Sequence, residues 1–268
     1  MKTGPEDPLT GSTGSVSPSL PVITLLTDFG TADYFVGAVK GAILSVNPLA
    51  VIADITHEIG PQDVAAGAFT LLAVYKTFPA RTVHVAVVDP GVGSARRPII
   101  VSANDQYFVG PDNGIFTYIY DREPSHQTFH VTSDRYFRPS PSTTFHGRDI
   151  FAPVAAAISK GVAVEDFGVE IDDEVRLPSL ENPLRIIHID RFGNCVTNIT
   201  RDRLGAENSI VINGRTISEF RKFYGERDSG ALFAIWGSAG FLEISVNGGS
   251  AAKELSAKRG DEVVVRQD

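Results

Sequence analysis

Three apolar runs in the first third of the chain each end on an aspartate, and two stretches with helical spacing separate them. Residues 22–27 lead into Asp28-Phe29-Gly30, residues 50–53 into Asp54-Ile55-Thr56-His57, and residues 83–88 into Asp89-Pro90-Gly91-Val92-Gly93. Between them, residues 34–46 carry Phe35, Val39, Ile43 and Val46, and residues 63–78 carry Val64, Ala68, Leu71, Leu72 and Tyr75 at helical intervals. Strand, helix, strand, helix, strand predicts a parallel sheet with right-handed crossovers. Ligands of such sheets bind outside the carboxyl ends of the strands, so Asp28, Asp54 and Asp89 are expected on one rim. Gathered carboxylates cost free energy unless they meet a polyhydroxylated ligand, a cation or a metal.

The third run is the most specific. Val83, Val85 and Val87 with few polar breaks fit a strand covered on both faces, while Pro90, Gly91 and Gly93 turn the chain and keep it slim. Arg96 follows Asp89 by seven residues, within reach of a looped backbone that returns its guanidinium to the carboxylate, holding it ionised and oriented. A strand followed by a surface ion pair is the plainer alternative.

Past residue 172 the texture changes. Asp172-Asp173-Glu174 with Pro178 and Pro183 reads as a linker, and short β runs follow, punctuated by Asn213-Gly214, Asp228-Ser229-Gly230 and Asn247-Gly248-Gly249. The expected organisation is a disordered tail at 1–20, an N-terminal α/β domain with a mainly parallel sheet at 21–172, a linker at 173–183 and a small C-terminal β-barrel at 184–268.

Composition excludes several classes. Lys and Arg number 24 against 32 Asp and Glu among 268 residues, a net charge of -8, which argues against a broad nucleic-acid or anionic-membrane surface. No run approaches the ~20 apolar residues of a membrane span. The first twenty residues, rich in Gly, Pro, Ser and Thr, lack the basic start and apolar core of a signal peptide. One cysteine, Cys195, rules out an intramolecular disulfide and fits a reducing cytoplasm, the expected location.

Three polar clusters remain. Phe145-His146-Gly147-Arg148-Asp149 opens a helical run to Lys160, placing His146 where the helix dipole disfavours imidazolium. Asp190-Arg191-Phe192-Gly193-Asn194 offers a carboxylate, an aromatic face and an amide. Trp236-Gly237-Ser238-Ala239-Gly240 offers backbone amides and a hydroxyl for a carboxylate. Asp28-Phe29-Gly30 lacks the rest of a kinase pattern, Gly91-Val92-Gly93 lacks dinucleotide spacing, and Cys195 is expected to pack.

In order, Asp28-Phe29-Gly30, Phe35-Val36-Gly37 with Lys40-Gly41, Asp54-Ile55-Thr56-His57, Val88 to Gly93, Phe145 to Asp149 and Phe192-Gly193-Asn194 resemble one family. It is the S-adenosylmethionine hydroxide adenosyltransferases, or S-adenosyl-L-methionine hydrolases, relatives of fluorinating and chlorinating enzymes. The resemblance runs from about Val22 to the C-terminus. It implies an α/β domain plus a β-barrel domain, a homotrimer with active sites between neighbouring subunits, and conversion of S-adenosyl-L-methionine and water to adenosine and L-methionine without a cofactor. It also implies roles: Asp89, Arg96 and His146 handle the water, Asp28 accepts the ribose hydroxyls, and Asp190 meets the methionine ammonium. Asn194 and Tyr224 or Phe223 meet the adenine, Phe192 joins the substrate-binding set, and Ser238 with nearby amides takes the methionine carboxylate. The fluorinating relatives carry tyrosine at the place of Asp89, serine at Gly147 and tryptophan at Gln62; a carboxylate at that first place repels halide and favours water. Two rivals stay open: a metal-dependent phosphohydrolase with Asp28, Asp54, Asp89, His57 and His146 as ligands, and a non-catalytic adenosyl-ligand sensor.

Overall fold

A computed structural model describes residues 20–205, 208–226 and 230–267. Most of the expected tail, residues 1–19, and the Asp228-Ser229 part of one turn lie outside the described residues. The alternation read from the sequence appears as β1 (Val22–Thr27), α1 (Phe35–Val46), β2 (Val51–Thr56), α2 (Val64–Val74) and β3 (Val83–Val87). Asp63 caps α2, its carboxylate accepting from the Ala66 amide at 3.0 Å. The chain continues through β4 (Pro98–Ala103), β5 (Gln106–Pro111), α3 (Thr117–Arg122), β6 (Gln127–Val131), α4 (Ala152–Ser159) and β7 (Gly168–Ile171).

These strands form one seven-stranded sheet in the order β2-β1-β3-β5-β4-β6-β7. Pairs β1–β2, β1–β3 and β3–β5 are parallel, whereas β4–β5, β4–β6 and β6–β7 are antiparallel, so the sheet is mixed and not mainly parallel. The reversal starts at Asn104-Asp105, both at positive φ (51° and 55°), the geometry of a two-residue hairpin turn between β4 and β5. Helices cover both faces of β3, as its continuous apolar run predicts. Val83, Val85 and Val87 pack with Val39 and Ile43 of α1 and Val154 of α4. Ala86 and Val88 point the other way, to Leu71 of α2 and Ile119 of α3.

The C-terminal part comprises β8 (Ile186–Ile189), β9 (Cys195–Thr200), β10 (Asn208–Ile212), β11 (Arg215–Ile217), β12 (Phe220–Arg221), β13 (Leu232–Trp236), β14 (Phe241–Val246), α5 (Ala251–Glu254) and β15 (Val264–Gln267). The expected small β-barrel is not confirmed: no closed barrel is detected among the described residues. Within these residues the strands make a three-stranded sheet, β11-β10-β15, and a five-stranded sheet, β12-β13-β14-β9-β8. The run into β15 joins them along one edge, through Val263 N–H to Leu184 O at 3.0 Å and Ile186 N–H to Asp261 O at 2.9 Å. At the other edge β12 is two residues long and carries the ladder no further. Cys195 is buried in this core, and burial raises its thiol pKa to about 11, so it packs as expected.

Residues 172–185 have no regular secondary structure but are tied to the first sheet. Arg97 Nη1 meets Asp173 at 2.6 Å, and the amides of Val175 and Leu177 donate to Asp112 and Thr117 at 2.8 Å each. Phe69 of α2 stacks on His188 of β8 with centroids 5.0 Å apart, so α2 carries the second half of the chain on its outer face.

His84 lies wholly buried in β3, 2.8 Å from Thr24 Oγ1 and stacked on Phe108 at 4.9 Å. Burial pushes its pKa down from 6.5 to about 4, so the folded protein holds it neutral. The folded value lies below the unfolded one. Its contribution, ~3 kcal/mol, is therefore full above pH 6.5 and lost as pH falls towards 4. Urea unfolding of wild type and His84→Gln at pH 7 and pH 4.5 should show the stability gap between them shrinking at the lower pH. A constant gap would mean that His84 does not carry this acid sensitivity.

Candidate active site

β3 delivers the chain to Asp89, and two turns bring it back. Val92 N–H bonds Asp89 O at 3.2 Å and Ser94 N–H bonds Gly91 O at 3.0 Å. Gly93 sits at φ 79°, and a Cβ there would overlap the Thr143 carbonyl oxygen, so glycine lets this loop dock on residues 138–144. The result is the predicted return of Arg96. Its Nε lies 3.0 Å from both Asp89 oxygens, and Nη2 also donates to Oδ2. The two side chains are 5% and 8% exposed, which removes the surface-ion-pair alternative.

Arg96 Nη2 also lies 2.7 Å from His146 Nδ1. A guanidinium has only donors, so Nδ1 accepts and the neutral ring carries its proton on Nε2. Burial, then the Arg96 charge, depresses the His146 pKa below the usual histidine value, against weaker opposition from Asp89 and Asp149. His146 stands just before a π-helical turn, Gly147–Phe151, that runs into α4. Such turns recur at functional positions because they re-aim side chains. Phe151 returns under Arg96, its ring centroid 5.1 Å from the guanidinium carbon, and Arg96 Nη1 is buried without a protein partner. Asp149 fixes the neighbouring loop, accepting from Arg148 Nε at 2.7 Å and from the Ser142 amide at 2.9 Å.

Asp28 follows β1, and its Oδ2 accepts from the Gln62 amide at 2.8 Å. Next to it, the Phe29 ring touches Phe35, Phe145 and the face of Gly147, so the Asp28 turn packs against the His146 turn. Asp54 does not join this rim. β2 runs through it to Thr56, and its carboxylate bonds Lys40 Nζ at 2.6 Å and faces His57. The donors that a metal site would need are thus divided between two networks, Asp54 with His57 and Asp89 with His146.

The C-terminal candidates gather separately. Asp190 closes its own turn, Oδ1 accepting from the amides of Phe192 and Asn194 at 2.9 and 2.8 Å and Oδ2 from Asn194 Nδ2 at 2.8 Å. Asn194 is buried, whereas the Phe192 ring is 77% exposed. Tyr224, half exposed beside exposed Phe223, donates its hydroxyl to Glu243 at 3.3 Å. Ser238 lines a different place, a cavity of about 480 Å³ shared with Lys76, Arg122 and Arg201. Among the described residues no hydrogen bond or ion pair joins the Asp89 group to the Asp190 group. Glu243 was missed by sequence reasoning; its one signal is that it interrupts the apolar run Phe241-Leu242-Glu243-Ile244. Burial raises its pKa above the usual glutamate value.

Comparison with known proteins resolves what this arrangement belongs to. The N-terminal domain of the SAM hydroxide adenosyltransferases matches residues 23–168, and the C-terminal domain of the same family matches residues 184–264. The chain belongs to the SAM hydroxide adenosyltransferase family. A protein of Methanocaldococcus jannaschii named (R)-S-adenosyl-L-methionine hydrolase is 40% identical, covering 92% of this chain and 96% of that one. One of the same name from Thermus thermophilus is 37% identical, covering 89% and 96%. A crystal structure of an uncharacterized conserved protein from Thermotoga maritima superposes with a TM-score of 0.86 at 36% identity, covering 91% of this chain and all of that one. The adenosyltransferase N-terminal match holds Asp28, Asp89, Arg96 and His146, and the C-terminal match holds Asp190, Phe192, Asn194, Tyr224 and Ser238.

The Arg96 contact fixes the protonation of His146. Nitrogen-15 NMR at pH 7 should report the neutral ring with the proton on Nε2, and Arg96→Met should move the His146 titration midpoint upward. A midpoint that stays in place would show that the guanidinium does not face Nδ1 in solution.

Proposed function

We propose that this protein is an enzyme that hydrolyses S-adenosyl-L-methionine to adenosine and L-methionine by attack of water at ribose C5′. The observation that carries this reading is the buried Asp89–Arg96–His146 group in a chain 40% identical to a named hydrolase of that substrate. The leaving group departs as a neutral thioether and needs no general acid. Catalysis then consists of aiming one water along the C5′–S axis and keeping other nucleophiles out. Asp89 accepts the proton of that water, because Arg96 already occupies His146 Nδ1; Arg96 orients Asp89, and His146 offers its Nε2–H as a donor. The negative charge of Asp89 disfavours halide at the same place.

Asp28 binds the ribose hydroxyls, Asp190 the ammonium, Asn194, Phe192 and Tyr224 the adenine side, and Ser238 the methionine carboxylate. The enzyme works as a homotrimer with each site shared between an N-terminal domain at 21–172 and the C-terminal domain, 184–268, of a neighbour, residues 173–183 linking the two within a chain. What supports this is the separation of the two groups within one chain and the 77% exposure of Phe192. It uses no cofactor and acts in the cytoplasm, a reading supported by the lone buried cysteine; among the described residues no helix is long and apolar enough to cross a membrane. The sulfonium it takes has the R configuration carried in the names of its relatives.

Incubation with each separated sulfonium epimer in ¹⁸O water should give methionine and adenosine labelled at the 5′-hydroxyl, faster from the R epimer. Asp89→Asn should lose activity by about 100-fold or more while still binding adenosine. S-adenosylhomocysteine, or a 5′-chloro product in chloride buffer, would sink the assignment.

Shared sites make a second prediction. Asp89→Asn and Asp190→Asn proteins, each inactive, should regain activity when mixed under conditions of subunit exchange, because some interfaces then pair two intact faces. No recovery despite demonstrated exchange would mean that each chain completes its own site.

A further inference from the structure

We propose that Thr27, His57 and Asp54 form a positioning relay that sets the Asp28 turn, with Thr27 as its hub. This rests on the ribose-binding role given to Asp28. The Asp54-Ile55-Thr56-His57 motif has no part in the water chemistry, yet its two polar ends lead straight to β1. Thr27 is the buried last residue of that strand; its Oγ1 accepts from the Phe29 amide at 3.3 Å and lies 2.8 Å from His57 Nδ1. A hydroxyl oxygen can accept twice, so the Phe29 amide alone does not set the direction of the Thr27–His57 bond; with the ring proton on Nε2, facing Asp54, Nδ1 accepts the Thr27 hydroxyl proton. Nε2 lies 3.2 Å from Asp54 Oδ1, off the line of a straight hydrogen bond, so this link is mainly electrostatic.

Asp54 selects that tautomer. An anion facing Nε2 favours the proton there and leaves Nδ1 free to accept; the other tautomer would aim an N–H at Thr27 Oγ1 and displace its proton from this acceptor. Burial pushes the Asp54 carboxyl up, but Lys40 and His57 more than offset it, so it stays ionised. At the inner end, the His57 carbonyl accepts from Gly30 N–H at 2.7 Å. The amides of residues 29 and 30 are thus both tied to the relay, and Asp28 is held between them and the Gln62 amide. Two features separate this arrangement from ordinary core polarity. One end is a half-exposed ion pair, Lys40–Asp54, and the other is the turn that carries Asp28 to the rim.

The experiment compares Thr27→Val, which removes the hydroxyl at nearly constant shape, Thr27→Ser, which keeps it, and Asp54→Asn at the exposed end. Adenosine affinity by calorimetry and hydrolysis kinetics are the readouts. Thr27→Val should weaken adenosine binding about tenfold and raise KM by the same factor, with kcat within about twofold, the pattern of lost uniform binding. Asp54→Asn should move both in the same direction by a smaller factor, and Thr27→Ser should restore them. A Thr27→Val protein with a lowered Tm but unchanged adenosine affinity and KM would overturn the relay, leaving a structural hydroxyl. If the wild type binds no adenosine, the functional reading falls, and amide hydrogen exchange decides the relay alone. Protection at Phe29 and Gly30 lost in Thr27→Val upholds it; unchanged protection overturns it.

Discussion

The site depends on one buried guanidinium. Arg96 holds both oxygens of Asp89, meets His146 Nδ1 and lies over Phe151, so the end of β3 and the π-helical turn converge on a single side chain. Burying such a pair is costly, and removing one partner of a buried pair typically costs on the order of 3–5 kcal/mol because the other charge is left uncompensated. The surrounding sequence is arranged to satisfy it. The apolar β3 brings Asp89 in, the glycine turns return Arg96 within seven residues, and the π-helical turn presents His146 and Phe151 from the far side.

The sheet sets where these residues meet. Where β1 and β3 run parallel, their carboxyl ends lie side by side, and the Asp28 and Asp89 loops leave in the same direction. The antiparallel half, begun by the Asn104-Asp105 hairpin, serves the same rim: β4 starts two residues after Arg96, and the chain that leaves β6 runs on to His146. It also offers a platform for residues 172–185, pinned through Arg97, Asp112 and Thr117.

What was legible in the sequence follows from the range of the interactions. Asp89 with Arg96 could be read because a glycine-rich turn and a seven-residue spacing are local facts, and α1 and α2 because periodicity is local too. Asp54 was misplaced on the rim for a local reason as well: the apolar alternation resumes after it at Ile55, and β2 simply continues. The Arg96–His146 contact spans fifty residues and the Thr27–His57 contact thirty, and neither has a spacing rule to betray it. The helix start marked His146 as a candidate and family resemblance implied its place with Asp89 and Arg96; neither pointed to Thr27 or Glu243. The C-terminal strands were legible one by one from their turns, but whether such strands close into a barrel depends on long-range edge pairing that no turn signals; among the described residues they form two sheets.

Charge balance ties the chemistry to this geometry. A sulfonium loses its positive charge as the C5′–S bond breaks, so any carboxylate aimed at sulfur would stabilise the substrate more than the transition state and slow the reaction. Attack by water, by contrast, builds positive charge on the entering oxygen as its proton loosens. An anion belongs beside the water and away from the sulfur. Asp89 with its charge largely compensated by Arg96 has a weak field at a distance and strong acceptor lone pairs at contact. In the proposed reaction that pair acts on a water in contact with Asp89 and spares the sulfonium beyond it, a division that an unpaired carboxylate at the same place would not make.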